Sequence, residues 1–220
     1  MFPKTQADFF SGSVHLVFAV VIAQGFLIAS NIFIPLSNLY SFNGAVSALG
    51  LVFAYFFLAS SWIGFYKSVS DYPHKENKKG IARYAIAILI TFLIYNMISL
   101  TDPKNSASIE EIFWVIPLIF FVLMINHAIK YREYVDEVNR QDKKQVQNII
   151  YQTAGFLIIF IVQAVVYWVL NYYVPDLKWY SHTTWVPVFI LSSLLLTLWY
   201  RYLTWKRYYR TKRKKRNTSV

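Results

Sequence analysis

Four neutral amides, Gln24, Asn31, Gln152 and Gln163, stand inside long apolar stretches of this chain. An amide is costly against hydrocarbon unless it finds a hydrogen-bond partner, so these side chains are expected to face other helices or a water-filled path. In the first stretch Phe10, Val17, Gln24 and Asn31 recur every seven residues. Such a repeat drifts only about 20° per step on an α-helix, so the four form one stripe, flanked by Val14 and Val21. Gln152 and Gln163, eleven residues apart, also fall nearly on one face and read as interhelical polar contacts. The stripe suits either a hydrogen-bonded seam between helices or the lining of a pore. In a pore, an apolar constriction at Val17 and Val21 below Gln24 would gate by dewetting.

Other chemistry is sparse. All eleven acids fall in loops or at helix ends, which disfavours transport coupled to protons or sodium, since such transporters place carboxylates or unwound helices at the midplane. His15, His74, His127 and His182 lack metal-ligand spacing. His15 and His127 lie near the same end of their helices and could meet as a pH-sensing pair. Ser60-Ser61 and Ser192-Ser193 have no neighbouring base and read as helix-contact residues. No nucleophile elbow, zinc-protease motif or phosphate-binding glycine loop is present, and the chain has no cysteine. Neither an enzyme nor a metal or cofactor site is expected.

The elements that must carry the amides follow from charge. The segments 9–66, 84–101, 112–129, 145–175 and 179–200 contain no charged residue. About 20 apolar residues span a bilayer as a helix, so the first run holds two spans. Six helices are expected, over 11–34, 45–66, 82–100, 110–129, 148–172 and 184–204. Of the 22 Lys and Arg residues, all but Lys104 and Lys178 then fall on one side. By the positive-inside rule both termini are expected to be cytoplasmic. The first span is too long for the core of a cleaved signal peptide and reads as a retained helix.

The fold class expected is all-α, a polytopic membrane protein of the prokaryotic plasma membrane, comprising a six-helix domain (1–205) and a basic tail (206–220). A hydrophobic content of 56%, mean hydropathy of +0.38 and Trp and Tyr near helix ends agree. A formal charge of +11 would suggest nucleic acid in a soluble chain; here it serves orientation, and nucleic acid is disfavoured as a partner. Lys206, Arg207, Arg210, Lys212, Arg213, Lys214, Lys215 and Arg216 are placed to bind anionic lipid or a cytoplasmic protein. Opposite charges three or four apart from Ile129 to Arg140 predict that the fourth helix continues into solvent, where it could dock a partner.

Two segments carry a resemblance. Phe10-Ser11-Gly12-Ser13-Val14-His15-Leu16-Val17 and Tyr55-Phe56-Phe57-Leu58-Ala59-Ser60-Ser61-Trp62-Ile63-Gly64-Phe65-Tyr66 are similar to the first two helices of the prokaryotic six-helix relatives of the lysosomal potassium channel. Gly12 stands where that family's signature has an acid, and Gln6 about where it has a basic residue. The resemblance implies a homo-oligomer with a central potassium path lined by helix 1, constricted at Val17 and Val21. An oligomeric ion channel or pore is therefore one expected function. The other is a non-conducting membrane subunit that anchors or signals to cytoplasmic partners through the 130–148 segment and the tail.

Overall fold

The computed structural model describes residues 6–71, 77–104, 109–134, 140–173 and 182–217, with side chains placed for 12–70, 77–104, 109–134, 143–144, 146–173 and 185–206. These residues contain no strand. Six helices follow in chain order: α1 (Gln6–Phe33), α2 (Phe42–Asp71), α3 (Lys78–Ser99), α4 (Ile112–Tyr134), α5 (Arg140–Tyr173) and α6 (His182–Asn217). Each contains a stretch long and apolar enough to cross a membrane. Ser41 Oγ accepts from Gly44 N (3.0 Å) at the start of α2, and Asn77 accepts from Gly80 N (2.9 Å) at the start of α3, satisfying amides that the first helical turn leaves without partners.

The six expected helices are all present, but several run further at the basic end. α2 reaches Asp71, α5 begins at Arg140, and α6 continues unbroken to Asn217, while α4 reaches Tyr134, within the continuation expected from its charge spacing. Loss of apolarity marks where a span meets the interface; it does not end a helix, whose backbone bonds are indifferent to side-chain polarity. The backbone of the basic segment is thus helical, continuous with α6, as far as Asn217. Side chains 207–216, and the stretch 135–139 of the expected α4 extension, lie outside the described residues.

Neighbouring helices form a closed circuit, α1 to α3, α4, α5, α6, α2 and back to α1, with α2 also touching α3 across it. Aromatic rings fill the centre. Phe120 lies 4.7 Å from Phe160, 5.0 Å from Tyr200 and 6.0 Å from Phe57, joining α4 to α5, α6 and α2. Towards the opposite end, Tyr167 sits 4.6 Å from Phe113 and 5.2 Å from Phe189. Such tilted pairs contribute beyond the area they bury, roughly 1 kcal/mol each.

α1 corrects one expectation. Its buried positions are Val14, Phe18, Val21, Gly25, Ile28 and Ile32, spaced alternately four and three, the seam by which it packs on α2 and α3. Val14 and Val21 therefore belong to the protomer's own core and line no open face. Val17, Gln24 and Asn31 lie one position before the seam residues Phe18, Gly25 and Ile32 and are half-buried at its edge. Phe10 has no described side chain. The opposite face, with Leu16, Val20, Phe26 and Leu27, is exposed among the described residues, and α5 presents a comparable apolar face around Ile158, Val162 and Val169.

Candidate functional site: a cationic cavity at the basic end

At the end of the bundle where the basic residues gather, six helices line a partly open cavity of about 170 Å³. α2 contributes Ser61, Lys67 and Ser68; α3 contributes Arg83; α4 contributes Asn126, His127 and Lys130; α6 contributes Arg201 and Thr204. Phe18 of α1 and Val146 and Ile149 of α5 close the rest. Among the described lining residues there is no carboxylate.

The charges arrive there by helical phase. Arg83 precedes the buried Ala87, Ile90 and Ile94 at core spacing, and Arg201 follows Ser193 and Thr197 by successive steps of four. Both sit one residue beyond the end of a charge-free run, and sequence reasoning consequently left them on a solvated rim. Arg83 is 2% exposed and Arg201 8%. Glu133, in α4, is buried as well. Formal charge is thus buried between the helices at this end of the bundle. The signal that could have found them is the continuation of the apolar period through a charged position.

The two guanidiniums differ in their compensation. Arg83 Nη1 lies 2.5 Å from Glu133 Oε2, a buried ion pair joining α3 to α4. Among the described residues Arg201 has only neutral partners. Its Nε donates to Ser60 Oγ (3.1 Å) and its Nη2 to Ser61 Oγ (2.7 Å), and it packs on the rings of Phe57 and Tyr200 at 5.8 and 5.6 Å. Among the described residues no carboxylate lies within ion-pair distance of it. Gly64 keeps the space beside it: a Cβ there would stand 3.4 Å from Nη1, so a longer side chain would enter the cavity. Lys130 Nζ donates to Ser68 Oγ (3.0 Å), and Lys67 Nζ lies 5.5 Å over the Trp205 ring. Asn126 Oδ1 is buried with no hydrogen-bond partner. Hydroxyl dipoles and ring faces offset only part of the cost of burying a cation, so the site retains a positive field in low dielectric.

The amides lie elsewhere or beside this site. Gln152 Nε2 donates to Tyr200 O (3.2 Å) and Thr204 Oγ1 (3.4 Å), bracing a cavity-lining hydroxyl. Gln163 Nε2 lies 2.9 Å from Phe189 O, 2.7 Å from Ser192 Oγ and 2.8 Å from Ser193 Oγ, tying α5 to α6. At the far end Asn31 Nδ2 donates to the Asp102 carboxylate (3.3 and 3.4 Å) while its Oδ1 accepts from Lys104 Nζ (2.7 Å), holding α1 to the turn after α3. His15 Nδ1 accepts from Trp62 Nε1 (2.8 Å), whereas His127 lines the cavity. Lys206 Nζ rests 5.4 Å over the Tyr202 ring. No cluster of three or more metal-ligating side chains occurs among the described residues.

The fold and the site define a class: a bundle of six membrane-length helices with a partly open cavity lined by basic residues at one end. Comparison with known proteins adds no narrower assignment, because no family model, curated protein or solved structure matches the chain.

Proposed function

We propose that the chain is a multi-pass membrane subunit that binds an anion inside its bundle, from the side on which its basic residues lie. Arg201 carries this reading. A guanidinium that is 8% exposed, bonded to two serine hydroxyls and open to a cavity of about 170 Å³ has no carboxylate partner among the described residues, and a bound anion would supply counter-charge. Because residues from all six helices meet at the cavity, occupancy would draw the helix ends together and change what the extended ends of α2 and α6 present to a partner. That is a route by which a non-conducting subunit could signal. Its test is thermal unfolding of the full chain in detergent while inorganic phosphate or sulfate is raised against chloride at constant ionic strength. The unfolding temperature should rise with occupancy for the parent chain and stay flat for Arg201→Gln. An equal response from both, or none from either, overturns it.

Conduction along α1 is the second reading. Its support is the uncovered face with Leu16, Val20, Phe26 and Leu27, beside the half-buried Val17 and Gln24. Copies gathered by this face would place α1 around a common axis. Potassium flux into liposomes should then be measurable and should increase in Val17→Asn; absence of flux from both would remove this reading.

A further inference from the structure

Resting on the anion-binding reading, we infer that the ligand is a monocarboxylate whose carboxylate meets Arg201 and whose apolar body lies along the walls of the cavity.

The charge to be met is that of Arg201. The other cations at the cavity have partners of their own: Arg83 is paired with Glu133, Lys130 donates to Ser68, and Lys67 lies over the Trp205 ring. One guanidinium without a carboxylate partner among the described residues calls for one negative charge.

The shape of the charge follows from which donors are taken. A guanidinium has five N–H donors in a planar fork. Nε and Nη2 of Arg201 occupy one edge, donating to Ser60 and Ser61. The other edge, Nη1 with the second hydrogen of Nη2, is left for a ligand. Nη1 makes no hydrogen bond among the described residues and is not sealed from solvent. Gly64 leaves room beside it, since even a Cβ there would stand 3.4 Å from Nη1. Two parallel N–H groups in one plane match the two oxygens of a carboxylate.

The rest of the cavity selects what the carboxylate is attached to. Phe18, Phe65, Ile90, Leu123 and Ile149 line it with apolar surface. A phosphodiester also fits a guanidinium fork, but it would bring two ester oxygens and a second substituent against that surface, where polar atoms are costly. An apolar cavity of about 150 Å³ takes up benzene, so about 170 Å³ accommodates an apolar body of about six carbons. The lining residues lie within the membrane-length stretches, toward their basic ends, and the cavity is partly open. Two sources share the chemistry: a medium-chain carboxylate from water, and a fatty acid whose remaining chain stays in the bilayer.

The experiment uses the full chain in phosphatidylcholine nanodiscs at mildly alkaline pH, so that the carboxyls are ionised. One arm titrates acetate, hexanoate, hexanol, diethyl phosphate or inorganic phosphate from solution and reads the unfolding temperature. The other dopes the bilayer with oleate or, at the same mole fraction, methyl oleate and reads retention in native mass spectrometry. Both arms compare the parent chain with Arg201→Gln and Gly64→Leu. Gly64→Leu keeps every charge and fills the space beside Nη1, so a folding defect specific to Arg201→Gln does not decide the result.

Each methylene withdrawn from water strengthens binding about fourfold, so hexanoate, with four more carbons than acetate, is expected to bind about a hundredfold more tightly. Acetate and inorganic phosphate, which engage the fork alone, should act at correspondingly higher concentration, and hexanol and diethyl phosphate should fall well short of hexanoate. Arg201→Gln should lose the response to every anion, and Gly64→Leu the advantage of hexanoate. This outcome supports the proposal with a soluble source. Oleate retained about tenfold over methyl oleate by the parent chain, and by neither variant, supports it with a bilayer source. If hexanoate acts no better than acetate, phosphate or diethyl phosphate, oleate is not preferred, and Arg201→Gln abolishes the anion responses, the monocarboxylate assignment falls and anion binding stands. If no anion acts, or Arg201→Gln responds like the parent chain, both fall.

Discussion

At the scale of single residues, the two buried arginines pose opposite energetic problems. Arg83 and Glu133 form a desolvated pair, and removing one partner strands the other in low dielectric, at a cost of about 3 to 5 kcal/mol. Glu133→Leu should therefore lower stability sharply in chemical unfolding, while Arg83→Met with Glu133→Leu should recover most of the loss; a double variant as unstable as the single would show that the pair is not what joins α3 to α4. Arg201 behaves differently. Its two bonds to serine hydroxyls, roughly 1.5 to 3 kcal/mol each as charge-assisted bonds, oppose a desolvation penalty of several kcal/mol that no carboxylate among the described residues offsets. The terms nearly cancel, so Arg201→Met should change the stability of ligand-free protein by less than about 1 kcal/mol while abolishing the response to anions. A loss comparable to that of Glu133→Leu would instead make Arg201 a structural residue. The sequence contains the phase that places Arg83 and Arg201 among core residues, but not the partners: that Ser60 and Ser61 accept from Arg201, 141 and 140 positions away in the chain, follows only from α2 packing on α6.

Among the elements, α1 shows how close packing replaces apolar volume. Gly25 faces Tyr55 of α2, whose hydroxyl donates to Ile22 O (3.0 Å), and a Cβ at Gly25 would collide with that ring. Gly25→Leu should destabilise the α1–α2 contact by about 1 to 3 kcal/mol, as overpacked cores do, and Tyr55→Ala in the same chain should restore part of it. A Gly25→Leu effect of the same size with and without the Tyr55→Ala change would refute that contact. At the other side of the circuit Gln163 holds α5 to α6 through Phe189 O and two serines. Gln163→Leu should cost only about 0.6 to 2 kcal/mol, since interhelical polar contacts in membranes are weak on average, and should speed proteolysis between α5 and α6 before it affects the rest. The existence and order of the helices were legible in the charge-free runs. The facing of α1 was not: a stripe of amides every seven residues and a seam of Val14, Phe18, Val21, Ile28 and Ile32 share one period and differ by a single position. Only the neighbours distinguish them.

For the whole molecule, the most consequential pattern is the asymmetry of the basic residues, with Lys104 and Lys178 alone apart from the other Lys and Arg. It has two physical roles that the folded bundle brings to the same place. Cations beyond the apolar runs resist translocation and so set orientation. Lys67, Arg83, Lys130 and Arg201, each one residue past a run on α2, α3, α4 and α6, line the cavity. Orientation and the site are therefore coupled: the cavity opens towards whichever compartment retains the basic end. The chain's lack of cysteine allows a direct check. Tyr40, 92% exposed at the end where Asn31 meets Lys104, and Lys144, exposed near the start of α5, can each be replaced by cysteine without removing any hydrogen bond described above. In intact bacterial cells an impermeant maleimide should label Tyr40→Cys at once and Lys144→Cys only after permeabilisation. Labelling of both from outside would mean that the six apolar helices do not all span. The reverse pattern would place the cavity on the outer side and exclude any ligand drawn from the inner leaflet or the cytosol. Moving positive charge is the complementary manipulation, since Lys/Arg bias acts through short loops: adding three or four lysines to the segment between α1 and α2 should shift a measurable fraction of molecules to the inverted topology, and those molecules should lose the phosphate response from the cytosolic face while remaining folded.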